Sequence, residues 1–374
     1  MKTIIVGAGV IGLAVADELC RRGVEVVVLD KAPGFGTEAS AAAAGILSPQ
    51  GEAKGPGPFF DLLTAGFQLI PETVARLQAV TGVDIEYKAN GMLGLAMSDD
   101  DEKEFEYQMD WQKQIGVRFE RLTREQVRDM EPAVDGPVRW GVWWPQTAQM
   151  NNRKMAQAYA LAVEAQGGTI RPSVGAIRFL SRGSRVTGVA TEQGLVEGDW
   201  VVNCAGAWAG FDGSLGFDLP LIPVRGQIIE FQTSVPLIRR VVKTPASYLV
   251  QRSNERLIAG TTVEKAGFDK RVTEEGKKQI RKGVIEMVSR VASLPENQAW
   301  AGLRPGTPDG RPILGRTPLD GLLVAAGHYR NGVLLAPLTG RLIADLIAKG
   351  TCSIDLMPFS ASRFQKQDSL SKGG

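Results

Sequence analysis

The chain has 374 residues, 44% of them hydrophobic and 22% charged, with 43 Lys and Arg against 41 Asp and Glu. That size and composition suit a two-domain, enzyme-sized protein with a packed interior, and the near-balanced charge argues against nucleic-acid binding. Three scattered cysteines (Cys20, Cys204, Cys352) and a single histidine, His328, argue against a disulfide framework and a Cys- or His-built metal site, and any Ser-His-Asp triad would have to use that one residue. No metal is expected, and the chemistry is expected to be borrowed from an organic cofactor.

The N-terminus has the look of a leader, with Lys2 ahead of the apolar run Ile4 to Val15. Asp17, Glu18, Arg21 and Arg22 follow at once, without a small-residue cleavage site. No apolar run approaches the roughly 18 residues that span a bilayer, so a soluble, cytoplasmic protein without a membrane partner is expected. Thr3–Val6 reads as a strand. Val10, Leu13, Ala14, Ala16, Leu19 and Cys20 form a helical face, and Gly23 sits where a left-handed cap belongs. Residues 24–29 are nearly all β-branched or apolar, as in a strand buried on both faces of a parallel sheet.

An Ala-, Gly- and Pro-rich loop is expected over 32–58, followed by a helix over 59–81 and another opening at 99–106. Thr123 and Gln126 have capping-box spacing. Asn151 and Asn152 can cap a helix to Gln166, closed by Gly167 and Gly168. Trp200–Cys204 reads as a buried strand. After Leu221 the pattern changes to longer strands (227–231, 248–250, 257–261). A helix then places Ile280, Val284, Met287, Val288 and Val291 on one face. A buried strand over 322–326 and a helix over 332–347 close the ordered chain, and a frayed tail is expected over 366–374. No internal repeat is evident.

Three motifs carry chemistry. Gly7-x-Gly9-x-x-Gly12 follows a strand, opens a helix, and has Asp30 eighteen residues past Gly12 at the end of the next strand. Gly7 permits the tight turn, Gly9 lets backbone approach a pyrophosphate, Gly12 lets helix pack on strand, and Asp30 can accept from ribose hydroxyls. A nicotinamide enzyme usually needs an acid or base, for which His328 is the only histidine, so a flavin reduced directly by its organic substrate is favoured; the single motif also disfavours a reductase that uses both FAD and NAD(P)H. The second motif is Gly327-His-Tyr-Arg-Asn-Gly332, between a buried strand and the last helix. Its amides can stabilise negative charge on a reduced flavin. Arg330 can hold a carboxylate bidentately, or be a plain helix-start arginine. The third is Trp300-Ala-Gly-Leu-Arg304-Pro-Gly306, in which Arg304 supplies a second charge or braces a loop. Tyr248 is a core aromatic or a hydroxyl donor to a pocket.

Together with Ala41-Ala-Ala-Ala-Gly45-Ile-Leu47, Asp309-Gly310 and the continuation Val333-Leu-Leu-Ala-Pro337, these segments resemble the D-amino-acid oxidase/glycine oxidase family of FAD-dependent amine oxidases. The resemblance spans about residues 1–363, and over Trp300–Gly306 with Asp309-Gly310 and over Gly327–Pro337 it is most similar to the bacterial glycine oxidases of thiamine biosynthesis. It implies an α/β fold in which a Rossmann-like FAD-binding domain, built from 1–85, 145–220 and 302–365, is joined to an α+β substrate domain with an antiparallel sheet, from 86–144 and 221–301. Gly7, Gly9, Gly12 and Asp30 would bind the ADP half of FAD. Ser40, Ala44, Gly45 and Leu47 would border the diphosphate and flavin. Val174 would meet the adenine through its backbone, and the turn Ala205, Gly206 and Trp208 would lie against the cofactor. Gly302, His328, Asn331, Gly332, Val333 and Leu334 would border the ring.

In the same comparison Tyr248, Arg304 and Arg330 surround the substrate, with Arg330 as the carboxylate clamp and His328 a ring neighbour or proton-transfer group. Ala246 stands where the best-studied relatives have histidine, and Ile46 where they have methionine, so both bear on substrate range. No cysteine lies in a linkage motif, and non-covalent FAD is expected. The implied reaction takes glycine, sarcosine, D-alanine or D-proline with its carboxylate on Arg330 and Tyr248. Hydride transfer to flavin gives an imino acid, then a keto acid and ammonia, while oxygen becomes hydrogen peroxide. A same-fold dehydrogenase passing electrons to a quinone and a flavin-binding protein without turnover are the alternatives. The family also implies a homo-oligomer, with a tetramer suggested.

Overall fold

The computed structural model describes residues 1–213, 217, 219–252 and 255–364, so the expected tail at 366–374 lies outside the described residues. The chain divides into two compact units. The first takes Met1–Thr37, Tyr159–Ile222 and the chain from Arg304 onward, and the second takes Glu38–Ala158 and Pro223–Leu303. Residues 38–85 and 145–158, which the resemblance assigns to the cofactor domain, thus count with the second unit by their contacts.

The first unit is built on a six-stranded sheet ordered Ile313–Arg316, Leu322–Ala326, Trp200–Asn203, Lys2–Val6, Glu25–Leu29, Thr169–Arg171. The last five are mutually parallel and the edge strand Ile313–Arg316 is antiparallel. Parallel central strands need cover on both faces. Ile4, Val6, Val27, Leu29 and Val201 pack in one cluster with Phe179, Val186 and Val189 of a three-stranded antiparallel sheet. The helices Val10–Arg21 and Gly332–Lys349 pack closely on each other, since a β-carbon at Gly340 would lie 2.6 Å from the Ala14 carbonyl oxygen. Arg22 ties them further with an ion pair to Asp345 at 2.7 Å. This is the Rossmann-like arrangement the βαβ pattern predicts. As expected, Gly23 is left-handed, with φ 74°.

The second unit holds an eight-stranded sheet ordered Glu296–Gly306, Ile222–Gln232, Arg256–Gly260, Tyr248–Gln251, Val241–Lys243, Met92–Ala96, Trp140–Trp144, Glu120–Thr123. Its described pairings are antiparallel apart from the parallel pair of Val241–Lys243 with Met92–Ala96. Period-two alternation sorts its side chains to two cores. Leu93, Leu95, Leu249, Leu257 and Ala259 join Ile280, Val284 and Met287 on one face. Met92, Ala96, Val250 and Ile258 join Phe105, Trp140 and Trp144 on the other.

Two expectations need revision. The 32–58 loop contains the helical turns Ala39–Ala42 and Pro49–Glu52 and the short strand Ile46–Leu47, because Leu47 pairs with Ala148 and Pro49 starts a turn that Ser48 caps. The helix expected through Val291 stops at Met287. Val288 is extended, with φ −139°, and a separate turn over Ser289–Ser293 buries Val291. The capping box of Thr123 and Gln126 is present with both hydrogen bonds. No helix among the described residues is long and apolar enough to cross a membrane.

Candidate functional site

In the first unit the predicted residues gather at the carboxyl edge of the parallel strands, where ligands of open α/β sheets bind. Lys2–Val6 ends in Gly7, whose φ of 108° and distance to the next strand turn both demand glycine. A β-carbon there would lie 2.5 Å from the Cys204 carbonyl oxygen. One at Gly12 would lie 1.9 Å from the Gly7 carbonyl oxygen. Gly9 is the extended N-cap of the helix Val10–Arg21 and offers no side-chain cap. Backbone amides and the positive end of the helix dipole are therefore what this turn presents.

Asp30 ends the next strand, half-buried, its Oδ2 accepting from the Ala8 amide at 2.6 Å and its Oδ1 from Ala32 at 2.8 Å. A carboxylate at this position is a hydrogen-bond acceptor of the kind that ribose hydroxyls donate to. Val174 donates its amide to the Asp30 carbonyl at 2.8 Å, which sets it beside that carboxylate. The glycine-built turn, the uncapped helix start and the neighbouring carboxylate fit the ADP half of a dinucleotide.

The turn after Trp200–Asn203 is braced by a residue that the sequence argument missed. Asn203, fully buried, donates Nδ2 to the Ala209 carbonyl at 2.7 Å and accepts from the Ala205 amide at 3.2 Å. Gly206 within it has φ 56°, and the Lys31 ammonium lies 3.5 Å from the Trp208 ring centre. A polar residue closing the apolar run Trp-Val-Val-Asn was the available signal.

After Leu322–Ala326 come Gly327, His328 and Tyr329, then Asn331 as N-cap of the last helix. A β-carbon on Gly332 would approach Val10 to 4.0 Å, so the two helix starts converge. Val333 and Leu334 are buried in the first turn. His328 is buried, with Nε2 at 3.1 Å from the Thr339 hydroxyl, and burial pulls its pKa down to about 3. The ring is therefore neutral at ordinary pH. Tyr329 is held in left-handed backbone, φ 50°, and its amide donates to the Pro305 carbonyl at 2.9 Å. That bond sets the segment of half-buried Arg304 beside exposed Arg330, whose guanidinium carbon lies 5.7 Å from the Tyr329 ring centre.

The second unit gathers the other predicted residues around the segment 40–47. The Ser40 carbonyl accepts from Asn152 Nδ2 at 2.5 Å, Ala41 from Arg153 Nε at 3.1 Å, and Ala42 from Trp300 Nε1 at 3.4 Å. The Ala44 carbonyl accepts from Arg252, and Gly45 from the Met150 amide at 2.9 Å. Gly302 lets this segment close in, since its β-carbon would lie 2.3 Å from that of Ala42. Gly45 has φ 67°.

With five carbonyls drawn into the unit, the consecutive amides of Ala43, Ala44 and Gly45 have no acceptor among the described residues. Ala44 and Gly45 are buried, so these donors call for a ligand with acceptor atoms, as a flavin ring or diphosphate is. Ile46, Tyr248 and Trp300 pack with Ala44 against the same core, and Leu47 is wholly buried. Ala246 is exposed at the bend closed by Thr244 and Ser247 and does not join them. Sequence reasoning missed Asn152, Arg153 and Arg252 as donors to this segment, because no local pattern marks a donor for a distant carbonyl.

Comparison with known proteins identifies the family and the fold. Residues 2–346 match the family described as FAD dependent oxidoreductase. The chain is 34% identical to a glycine oxidase of Geobacillus kaustophilus over 96% of each sequence. A crystal structure of glycine oxidase from that organism superposes with a TM-score of 0.93, at 33% identity, covering 96% of this chain and 98% of that one. The bifunctional protein ThiO/ThiG of Synechocystis sp. is 35% identical over 96% of this chain, which spans only 54% of that relative's length.

Proposed function

The chain belongs to the FAD dependent oxidoreductase family, is an enzyme of the glycine oxidase type, and from that premise we propose that it deaminates glycine and other small amino acids oxidatively, sarcosine, D-alanine and D-proline among them. The observation that carries this reading is the bond from Tyr329 to Pro305, which pairs the Arg304 segment with the Arg330 segment at the sheet's ligand edge. Two arginine-bearing segments there suit a carboxylate-bearing substrate.

In this reading Gly7, Gly9, Gly12 and Asp30 hold the ADP half of FAD, and the Ala43–Gly45 amides and the start of the last helix receive its other half. When bound, the flavin supplies a two-electron acceptor for the Cα–H bond of the amine. Arg330, with Arg304 and Tyr248, holds the carboxylate and orients that bond, and Ile46 bounds the space for the substituent. His328, neutral and bonded to Thr339, supports the turn rather than shuttling protons. The balance for glycine is glycine, oxygen and water to glyoxylate, ammonia and hydrogen peroxide. The functional boundaries proposed are those of the resemblance, with FAD held by 1–85, 145–220 and 302–365 and the substrate by 86–144 and 221–301, in a homo-oligomer.

The test is anaerobic bleaching of the flavin by a panel of glycine, sarcosine and D- and L-amino acids, followed by an oxygen pulse. Bleaching by small amines with one peroxide per substrate is expected. A flavin that no member of the panel reduces would remove the proposal, and bleaching without peroxide would replace oxygen by another acceptor.

A further inference from the structure

Arg252 is a buried cation outside the machinery assigned so far. It follows the strand Tyr248–Gln251, is 4% exposed, and has no carboxylate at ion-pair distance among the described residues. Burial, and then the like charge of Arg256, draws its pKa down to about 10, so it remains a cation at neutral pH. Glu86, which acts on it through space, is itself paired with Lys154 at 2.8 Å. Burying a cation without an ion pair is costly, and such a residue persists where its geometry is used.

The guanidinium reaches two different chain segments at once. Nη1 donates to Gln149 Oε1 at 3.0 Å and Nη2 donates to the Ala44 carbonyl. Gln149 lies in the short strand that pairs with Ile46–Leu47, so one planar fork staples both strands of that ladder at the end where Gly45 turns. The fit leaves no room for a side chain on Gly45. A β-carbon there would lie 2.8 Å from Arg252 Nη2 and 2.0 Å from the Met150 carbonyl oxygen.

We propose that Arg252 is a positioning residue that holds the Ala44–Gly45 turn in its left-handed geometry, so that the amides of Ala43, Ala44 and Gly45 remain available as donors for the flavin. The other straps on the segment, Asn152, Arg153 and Trp300, act on carbonyls at 40–42. Arg252 acts at the turn itself. The inference rests on the family's cofactor and on the assignment of segment 40–47 to it, and is independent of which amine is oxidised.

Three measurements on Arg252→Met and Arg252→Lys test it: FAD affinity of the apoprotein, amide hydrogen exchange of peptides covering 40–52, and thermal unfolding. Arg252→Met is expected to weaken FAD binding about tenfold to hundredfold, the weight of one buried hydrogen bond to a charged group. Exchange should quicken at 43–47 and stay unchanged in the strands Met92–Ala96 and Arg256–Gly260. Arg252→Lys keeps the charge and one donor, and should recover part of the affinity. Wild-type affinity and exchange in Arg252→Met overturn the proposal, as does quickened exchange spread evenly over the whole unit. If Arg252→Met does not fold, Arg252→Lys decides alone, and wild-type affinity and exchange in it would overturn the two-acceptor staple. A flavin that no amine reduces, with these results as expected, would refute the substrate reading and leave Arg252 in place.

Discussion

Gly260→Ala should move the Tyr248 hydroxyl without touching cofactor or substrate directly. The two residues pair across adjacent strands, and the ring lies over the glycine. An alanine β-carbon would sit 2.3 Å from both Cζ and the hydroxyl oxygen of Tyr248 and 2.7 Å from Cε2, where ordinary contact begins at 3.4 Å. The ring tip must therefore shift by a little over 1 Å. Flanking pairs such as Leu249 with Ala259 hold both backbones in the core, so the half-buried ring is what gives way. A displacement of about 1 Å at a substrate-orienting group costs about 100-fold, and loss of a hydroxyl bond to a carboxylate costs about 1.5–3 kcal/mol.

We expect kcat/KM for the best small amino acid to fall about 10- to 100-fold, chiefly through KM, with FAD affinity unchanged. Steady-state kinetics of Gly260→Ala, Tyr248→Phe and the double variant give the assay. If the glycine acts through the hydroxyl, the double variant should match Tyr248→Phe alone. A folded Gly260→Ala enzyme with wild-type kcat/KM, or a double variant whose losses add, would refute the reasoning.

Gly12→Ala should yield protein without bound flavin, read as the ratio of visible to ultraviolet absorbance, because its β-carbon would stand 1.9 Å from the Gly7 carbonyl oxygen; a fully yellow variant would contradict the cradle. Arg330→Ala should raise KM for small amino acids about tenfold or more with less change in kcat, and unchanged glycine kinetics would reject the clamp. His328 has its folded pKa depressed from 6.5 to about 3 by burial, so between those values the unfolded chain binds a proton that the folded one does not. Stability then rises with pH across that window and is flat above it. Acidifying from pH 6.5 to 5 should cost the wild type about 1.6 kcal/mol more than His328→Asn, and equal losses in denaturant titrations would show that the ring is not held neutral.

How much was legible follows from the range of the interactions concerned. The first βαβ unit, the glycine cradle with Asp30 and the capping box at Thr123 were all readable, because a buried parallel strand, a left-handed turn and a helix cap each impose a demand within a few neighbouring residues. The grouping of chain around the two cores was less so. Residues 38–85 count with the second unit through packing such as that of Ala44 and Ile46 in one cluster with Met92, Trp140 and Val250, which no local pattern announces.

The glycine turn, the carboxylate and the scarcity of histidine were enough for the sequence by itself to determine a dinucleotide enzyme that leans on its cofactor. Tertiary structure alone decided how the site is held. Tyr329 is joined to Pro305, Tyr248 is laid over Gly260, and Arg252 is bonded to a carbonyl 208 residues away. Strand order and turn packing bring those partners together, and a donor carries no mark in the sequence of the distant acceptor that it will meet.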